Sequence, residues 1–267
     1  MSTFGAFKYT VYALLIANVG LFLVEDLAAS RVIFADGVTW ARFIETYAQT
    51  MDTAAWVVLL LLFELETAVL SDETLKGGWA RRLSVVRFAC YAIVGYSAYG
   101  YLESFGFVTQ TSPLEINDLC SLAGADFAFV ATLNHYPPLD LDTCQALRGK
   151  ELLQIDGTRI IGNLDQLERA RRLALADCIN SIDWIAVVVV LEVEVFLQLW
   201  GRMSTRIDRI GRVIKAVLYS MLLLVAAFWA LDGSLLDFWD AALWLVSFIF
   251  IEMNFFEWQR ETEAQLD

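Results

Sequence analysis

The sequence predicts an all-α integral membrane protein of six transmembrane helices, arranged as three pseudo-equivalent two-helix repeats and carrying a small extracytoplasmic cap domain. Three observations lead there. The 267-residue chain is 58% apolar and only 19% charged, against roughly 45–50% apolar for an average soluble domain. Uncharged stretches long enough, with their flanks, to cross a bilayer recur along it. One residue pattern returns three times at identical spacing, the signature of an internal repeat. This composition excludes a disordered chain, a nucleic-acid binder and a secreted disulfide miniprotein. The formal charge of −13 is unusual in so apolar a chain, which makes the position of the carboxylates the central question.

The odd-numbered spans are expected over Tyr9–Val24, Phe88–Leu102 and Ala216–Leu231, and the even-numbered ones begin just after Asp52, Asp183 and Asp240. Lys8 precedes the first run and no small-residue cleavage site follows it, so this run is expected to be a span rather than a signal peptide. Basic residues concentrate on the cytoplasmic side of short loops. Lys76, Arg81, Arg82 and Arg87 after span two, and Arg202, Arg206, Arg209, Arg212 and Lys215 after span four, therefore belong inside. Both termini are then cytoplasmic, and segments 25–52, 103–183 and 232–240 lie outside, in what is expected to be a bacterial inner (plasma) membrane. The resulting division is 1–104 for the first hairpin and span three, 105–180 for the cap, and 181–267 for spans four to six and a cytoplasmic tail.

The repeat is carried by the even spans: Asp52, Trp56, Glu64, Glu66; Asn180, Trp184, Glu192, Glu194; and Asp240, Trp244, Glu252, Asn254. The odd spans each open on a base and close on an acid, Lys8 to Glu25, Arg87 to Glu103 and Lys215 to Asp232, with Tyr12, Tyr91 and Tyr219 early in each. An Asp or Asn at the outer start of a helix caps free N–H groups, and a Trp one turn later suits the outer membrane interface. These residues are expected to be anchors.

The glutamates differ. Glu64 and its equivalents lie twelve residues past the expected cap, about 18 Å along a helix, in the inner half of the bilayer. A charge there costs a few kcal/mol and should meet a partner or water. Glu64 and Glu66 point about 160° apart, so one acid of each pair can face a central axis. Two readings follow. Glu64, Glu66, Glu192, Glu194, Glu252 and Asn254 form a cation-binding ring or proton relay, or they pair with Lys8, Arg87 and Lys215 and lock the hairpins structurally. Arg206, Arg209, Arg212 and Lys215 recur every third residue, as in a voltage-sensing helix, but they precede the apolar run and fit a basic patch facing lipid headgroups better.

Segment 103–183 is long enough for a folded cap. An oxidising outer face permits a Cys120–Cys144 disulfide, with Cys178 as the rival partner, while Cys90 reads as an inert core thiol. Within the cap, Ser112-Pro113-Leu114-Glu115 resembles a helix start, Leu152–Ile161 around Asp156-Gly157 a hairpin, and Asp165–Asp177 a helix leading to span four. His135 is a loop residue, since a lone histidine cannot build a multi-histidine metal site. Trp40, Phe43, Ile44 and Tyr47 share one face of a helix expected to lie along the outer interface.

Nucleotide-binding, zinc-protease and hydrolase-elbow motifs are absent. Three two-helix repeats are also the outline of mitochondrial carriers, but their P-x-[DE]-x-x-[KR] signature is missing and the three prolines, Pro113, Pro137 and Pro138, all lie in the outer segment. The expected function is a cation channel or transporter, protons included, using the repeated intramembrane glutamates. The alternative is a non-conducting scaffold or accessory subunit of a larger membrane complex, its glutamates in salt bridges. No cofactor, metal or catalytic set is expected. The expected partners are membrane lipids, cations and either further copies of the chain or a membrane complex, and not nucleic acid.

Overall fold

The computed structural model describes residues 3–35, 39–66, 78–116, 118–200, 202 and 204–266, with only the backbone for residues 3, 41, 78, 80, 195, 198, 199 and 251–266. Six long helices carry the fold: α1 (Thr3–Ile33), α2 (Trp40–Glu64), α3 (Gly78–Thr109), α5 (Leu164–Leu199), α6 (Thr205–Asp232) and α7 (Leu235–Leu266), with a short α4 (Leu141–Leu147) between α3 and α5. Their ends follow local chemistry. Thr39 Oγ1 accepts from the Arg42 N–H to start α2, and Ser204 Oγ does the same from Ile207 for α6. At α5 the capping is reciprocal: Asn163 Oδ1 accepts from the Gln166 N–H at 2.9 Å while Gln166 Oε1 accepts from the Asn163 N–H at 3.0 Å, which satisfies two donors at a helix start. Gly233 ends α6 at φ +91°, a left-handed conformation that a side chain would strain.

Each long helix packs against two others, so the six close into a ring in the order α1–α2–α3–α5–α6–α7. The outer surface of that ring is apolar, with Val24, Val85, Phe88, Val217 and Leu224 exposed. Among the described residues, four helices contain stretches long and apolar enough to cross a bilayer: Phe4–Ile33, Arg42–Glu64, Leu164–Glu194 and Thr205–Asp232. Together these features mark a mostly helical membrane protein. α2 and α3 approach closely at Gly100 of α3, where an added Cβ would meet Ala48 Cβ at 2.8 Å and the Ile44 carbonyl at 2.9 Å.

The segment between α3 and α5 contains a small sheet within this mostly helical chain. Strands β1 (Thr111–Pro113), β2 (Ala128–Phe129), β3 (Leu152–Ile155) and β4 (Ile160–Asn163) form one sheet in the order β1-β3-β4-β2. β3 and β4 form a hairpin around Gly157, whose φ is +69°. The expected helix start at Ser112–Glu115 is instead strand β1 and its continuation. Proline lacks an N–H for a central ladder, yet β1 is an edge strand and tolerates Pro113, while the Leu114 N–H donates to Leu152 O. Below the sheet, Leu119, Leu139, Cys144, Leu147, Leu152 and Ile161 form a small core, stapled by the Cys120–Cys144 disulfide. Cys90 and Cys178 are buried free thiols, and Cys178 Sγ donates to the Tyr101 carbonyl. His135 sits in a tight turn, its N–H donating to Thr132 O.

Two further expectations change with helix length. The helix expected to lie along the outer interface, with Trp40, Phe43, Ile44 and Tyr47 on one face, runs from Trp40 without a break into the apolar stretch after Asp52 as α2, because nothing between Met51 and Trp56 stops a helix. Likewise the helix expected over Asp165–Asp177 is the outer part of α5 itself.

Candidate functional site

The consequence is that Asp52, Asn180 and Asp240 cap nothing. They lie within α2, α5 and α7, where the backbone is already hydrogen-bonded, and their side chains line a cavity in the middle of the ring. Its volume is about 40 Å³. The three tryptophans line it too, rather than facing the membrane interface. Trp56 lies with its ring centroid 6.4 Å from both Trp184 and Trp244, and Trp184 lies 4.4 Å from Phe248. One turn before each Asp or Asn, Gln49, Asp177 and Asp237 contribute polar groups, and Phe22, Tyr101 and Trp229 of α1, α3 and α6 complete the wall.

Four carboxylates, those of Asp52, Asp177, Asp237 and Asp240, therefore meet one cavity. Asp237 accepts from Gln49 Nε2 at 2.7 Å, Asp240 from Asn18 Nδ2 at 2.8 Å, and Asp52 Oδ2 from the Tyr101 hydroxyl at 3.4 Å. Among the described residues, none of the four is in a salt bridge. Two buried polar atoms of lining residues lack a hydrogen-bond partner in the structure: Asp52 Oδ1, an acceptor, and Trp229 Nε1, a donor. Buried groups are nearly always paired, by protein or by ordered water. Just above, Asp26 is fully buried and accepts from the Thr50 hydroxyl at 2.5 Å.

The glutamates occupy a different level. Lys8 Nζ lies 2.6 Å from Glu64 Oε1, which also accepts from the Tyr9 hydroxyl, and the Tyr12 hydroxyl reaches Glu64 Oε2 at 3.4 Å. Arg87 pairs with Glu66, Lys215 with Glu194 at 2.9 Å, and the Tyr91 hydroxyl donates to Glu192 at 2.8 Å. Glu194 sits against Gly211, where an added Cβ would fall 2.1 Å from its Oε1. The side chains of Glu252 and Asn254, and residue Lys76, lie outside the described residues. Arg212 pairs with Asp208 on the exposed start of α6. Between the two levels lies an apolar layer that includes Leu15, Val57, Leu60, Val187, Leu222 and Leu243. The acidic cavity is thus closed toward the glutamate end by tryptophan rings and aliphatic side chains.

No family model, curated protein or solved structure matches this chain. Any function must therefore be argued from the site. The sequence motif contained Asp52, Asn180 and Asp240 and the three tryptophans that line the cavity, but the helix ends expected at those three positions hid their inward position. Phe22, Tyr101 and Trp229, each fourteen residues past Lys8, Arg87 and Lys215, were visible in the sequence at a common spacing. That register, extended outward from the bases, was the signal for the missing half of the wall.

Proposed function

We propose that the protein transports a cation across a membrane, through a bundle of six spans built as three pseudo-equivalent hairpins. Both termini are cytoplasmic, and the membrane is the bacterial inner membrane. The observation that carries this reading is an acidic cavity, enclosed by all six helices and closed on one side by an apolar layer. Carboxylates held away from lipid and without cationic partners attract cations. A site closed on one side by an apolar layer suits alternating access better than an open pore. The threefold arrangement is supported by the way the wall is made: Asp52, Asn180 and Asp240, then Trp56, Trp184 and Trp244, then Phe22, Tyr101 and Trp229 approach one cavity at equal spacing. α3 and α7 serve as spans in this reading because they are 32 residues long and complete the ring.

In this reading the ion binds at the aspartates, and the glutamate level is the inner latch. Arg87 and Lys215 each reach back to an acid of the preceding hairpin, Glu66 and Glu194, so the pairs tie hairpin to hairpin. The test is cation flux into vesicles containing the full chain. Asp52→Asn with Asp240→Asn should reduce flux to background. Glu64→Gln, Glu192→Gln and Glu252→Gln together should change its rate or coupling while leaving the cavity loaded. Flux indifferent to the aspartate pair would sink the proposal.

The same ion pairs favour a second reading, a non-conducting scaffold or accessory subunit of a membrane complex. It expects no flux from the wild-type chain at all. It also expects Arg87→Glu to unfold the bundle and Glu66→Arg to restore it.

A further inference from the structure

The cavity specifies more than a charge. We infer that it binds a cation of ammonium type, ammonium itself or a singly methylated amine, together with one water. This rests on the cation reading above and narrows it to a ligand class.

Size comes first. A water needs roughly 10–15 Å³ of such space, so about 40 Å³ holds two or three non-hydrogen atoms. A polyamine or an aromatic cation does not fit. The two unpartnered atoms come next. Asp52 Oδ1 needs a donor or a positive charge, and Trp229 Nε1 needs an acceptor. Trp229 is only 4% exposed, so bulk solvent does not supply that acceptor. A lone cation answers the first demand and leaves the second, whereas a cation with a companion water answers both. An ammonium group with a companion water answers both: the cation donates one N–H to Asp52, and the water oxygen accepts from a second N–H and from Trp229.

The walls discriminate between cations. Trp56, Trp184 and Trp244 line the cavity, and indole rings attract cations by their quadrupole. A divalent ion such as calcium instead requires six to eight oxygen ligands at short range. Among the described residues, no three His, Cys, Asp or Glu side chains converge as a metal-binding group. A site whose four carboxylates do not converge as a metal-binding group, and whose walls are aromatic, therefore favours the N–H donor over a multiply coordinated metal ion.

The experiment is tryptophan fluorescence of the full chain in lipid nanodiscs, with ammonium chloride replacing sodium chloride at constant ionic strength and pH. Methylammonium, potassium, calcium and tetramethylammonium chlorides are run in parallel. Ammonium and methylammonium should give a saturable change with half-saturation about tenfold or more below that of potassium, and tetramethylammonium and calcium should give none. Asp52→Asn should raise the ammonium half-saturation about tenfold, and Trp229→Phe, which keeps a ring but removes the N–H, should raise it severalfold. Should Asp52→Asn fail to fold by circular dichroism, Trp229→Phe decides. Equal half-saturation for potassium, a response to pH alone, or unchanged ammonium binding in the folded variants would overturn the inference. Saturable ammonium binding without vesicle flux would overturn the transport reading and leave this site standing. Flux of another cation without ammonium binding would do the reverse.

Discussion

Replacing Gly211 with alanine tests the latch level directly. In the wild type the new Cβ would lie 2.1 Å from Glu194 Oε1 and 3.2 Å from its Cδ, so the carboxylate has to swing away. It then leaves Lys215 Nζ, now 2.9 Å from Glu194 Oε2, with both side chains about nine-tenths buried. Breaking a buried pair by removing one partner costs about 3–5 kcal/mol. Displacement with partial re-pairing should cost less, so about 2–3 kcal/mol is expected from the same source. Alanine is also the better helix former, by about 1 kcal/mol. These two effects have opposite sign and separate cleanly in a Glu194→Ala background, where the clash is gone. Unfolding free energies from denaturant titration in mixed micelles, followed by circular dichroism, should show Gly211→Ala destabilising the wild type and stabilising the Glu194→Ala protein by up to about 1 kcal/mol. An equal effect in both backgrounds would mean that Glu194 does not occupy the space against Gly211, and the latch argument would fail.

Other outcomes follow from the same geometry. Gly100→Ala forces α3 away from the Ile44 carbonyl and Ala48 Cβ, which should cost about 1–3 kcal/mol as overpacking, and Ala48→Gly in the same chain should recover part of it in the same titration. Cys120→Ser removes a cross-link between residues 24 apart in sequence, worth about 3 kcal/mol in the chain-entropy description; the cap should become sensitive to limited proteolysis while the helical ring stays protected. Asp140 caps α4 by accepting from the Thr143 N–H at 2.7 Å, and that hydrogen bond holds its carboxyl below the ordinary value of 3.8. Its contribution to cap stability is therefore present above about 3.8 and is lost as the pH falls through the lower folded value. Hydrogen exchange in α4 should be flat from neutral pH down to that point and rise only below it. The rise should be absent in Asp140→Asn, whose side-chain oxygen caps at any pH.

The sequence determined the parts. Apolar runs marked the helices, because a membrane demands long stretches whose backbone polar groups are satisfied internally. The cysteine pair and the Asp156-Gly157 turn were also legible, since both are local chemistry. The thrice-repeated Asp or Asn, Trp and Glu named six of the fifteen residues that line the cavity and the acids Glu64, Glu66, Glu192 and Glu194 of the second level, but not Asp177 or Asp237. Only the tertiary structure decided which did what. Asp52 and Trp56 read as a cap and an interfacial anchor because Asp begins many helices and Trp favours membrane interfaces. The continuity of α2 from Trp40 through Asp52 removed both roles. Ring closure then brought Asp52, Asp177, Asp237 and Asp240 together from three helices, with Trp229 opposite. Helical periodicity gives the direction of a side chain about its own axis, but not the helix on which it converges. Ring closure also set the partners of the glutamates, where Arg87 reaches Glu66 and Lys215 reaches Glu194, each on the preceding hairpin. The excess of acid in an apolar chain thus divides into a glutamate level, where Glu64, Glu66 and Glu194 meet bases, and a cavity whose four aspartates, among the described residues, meet none.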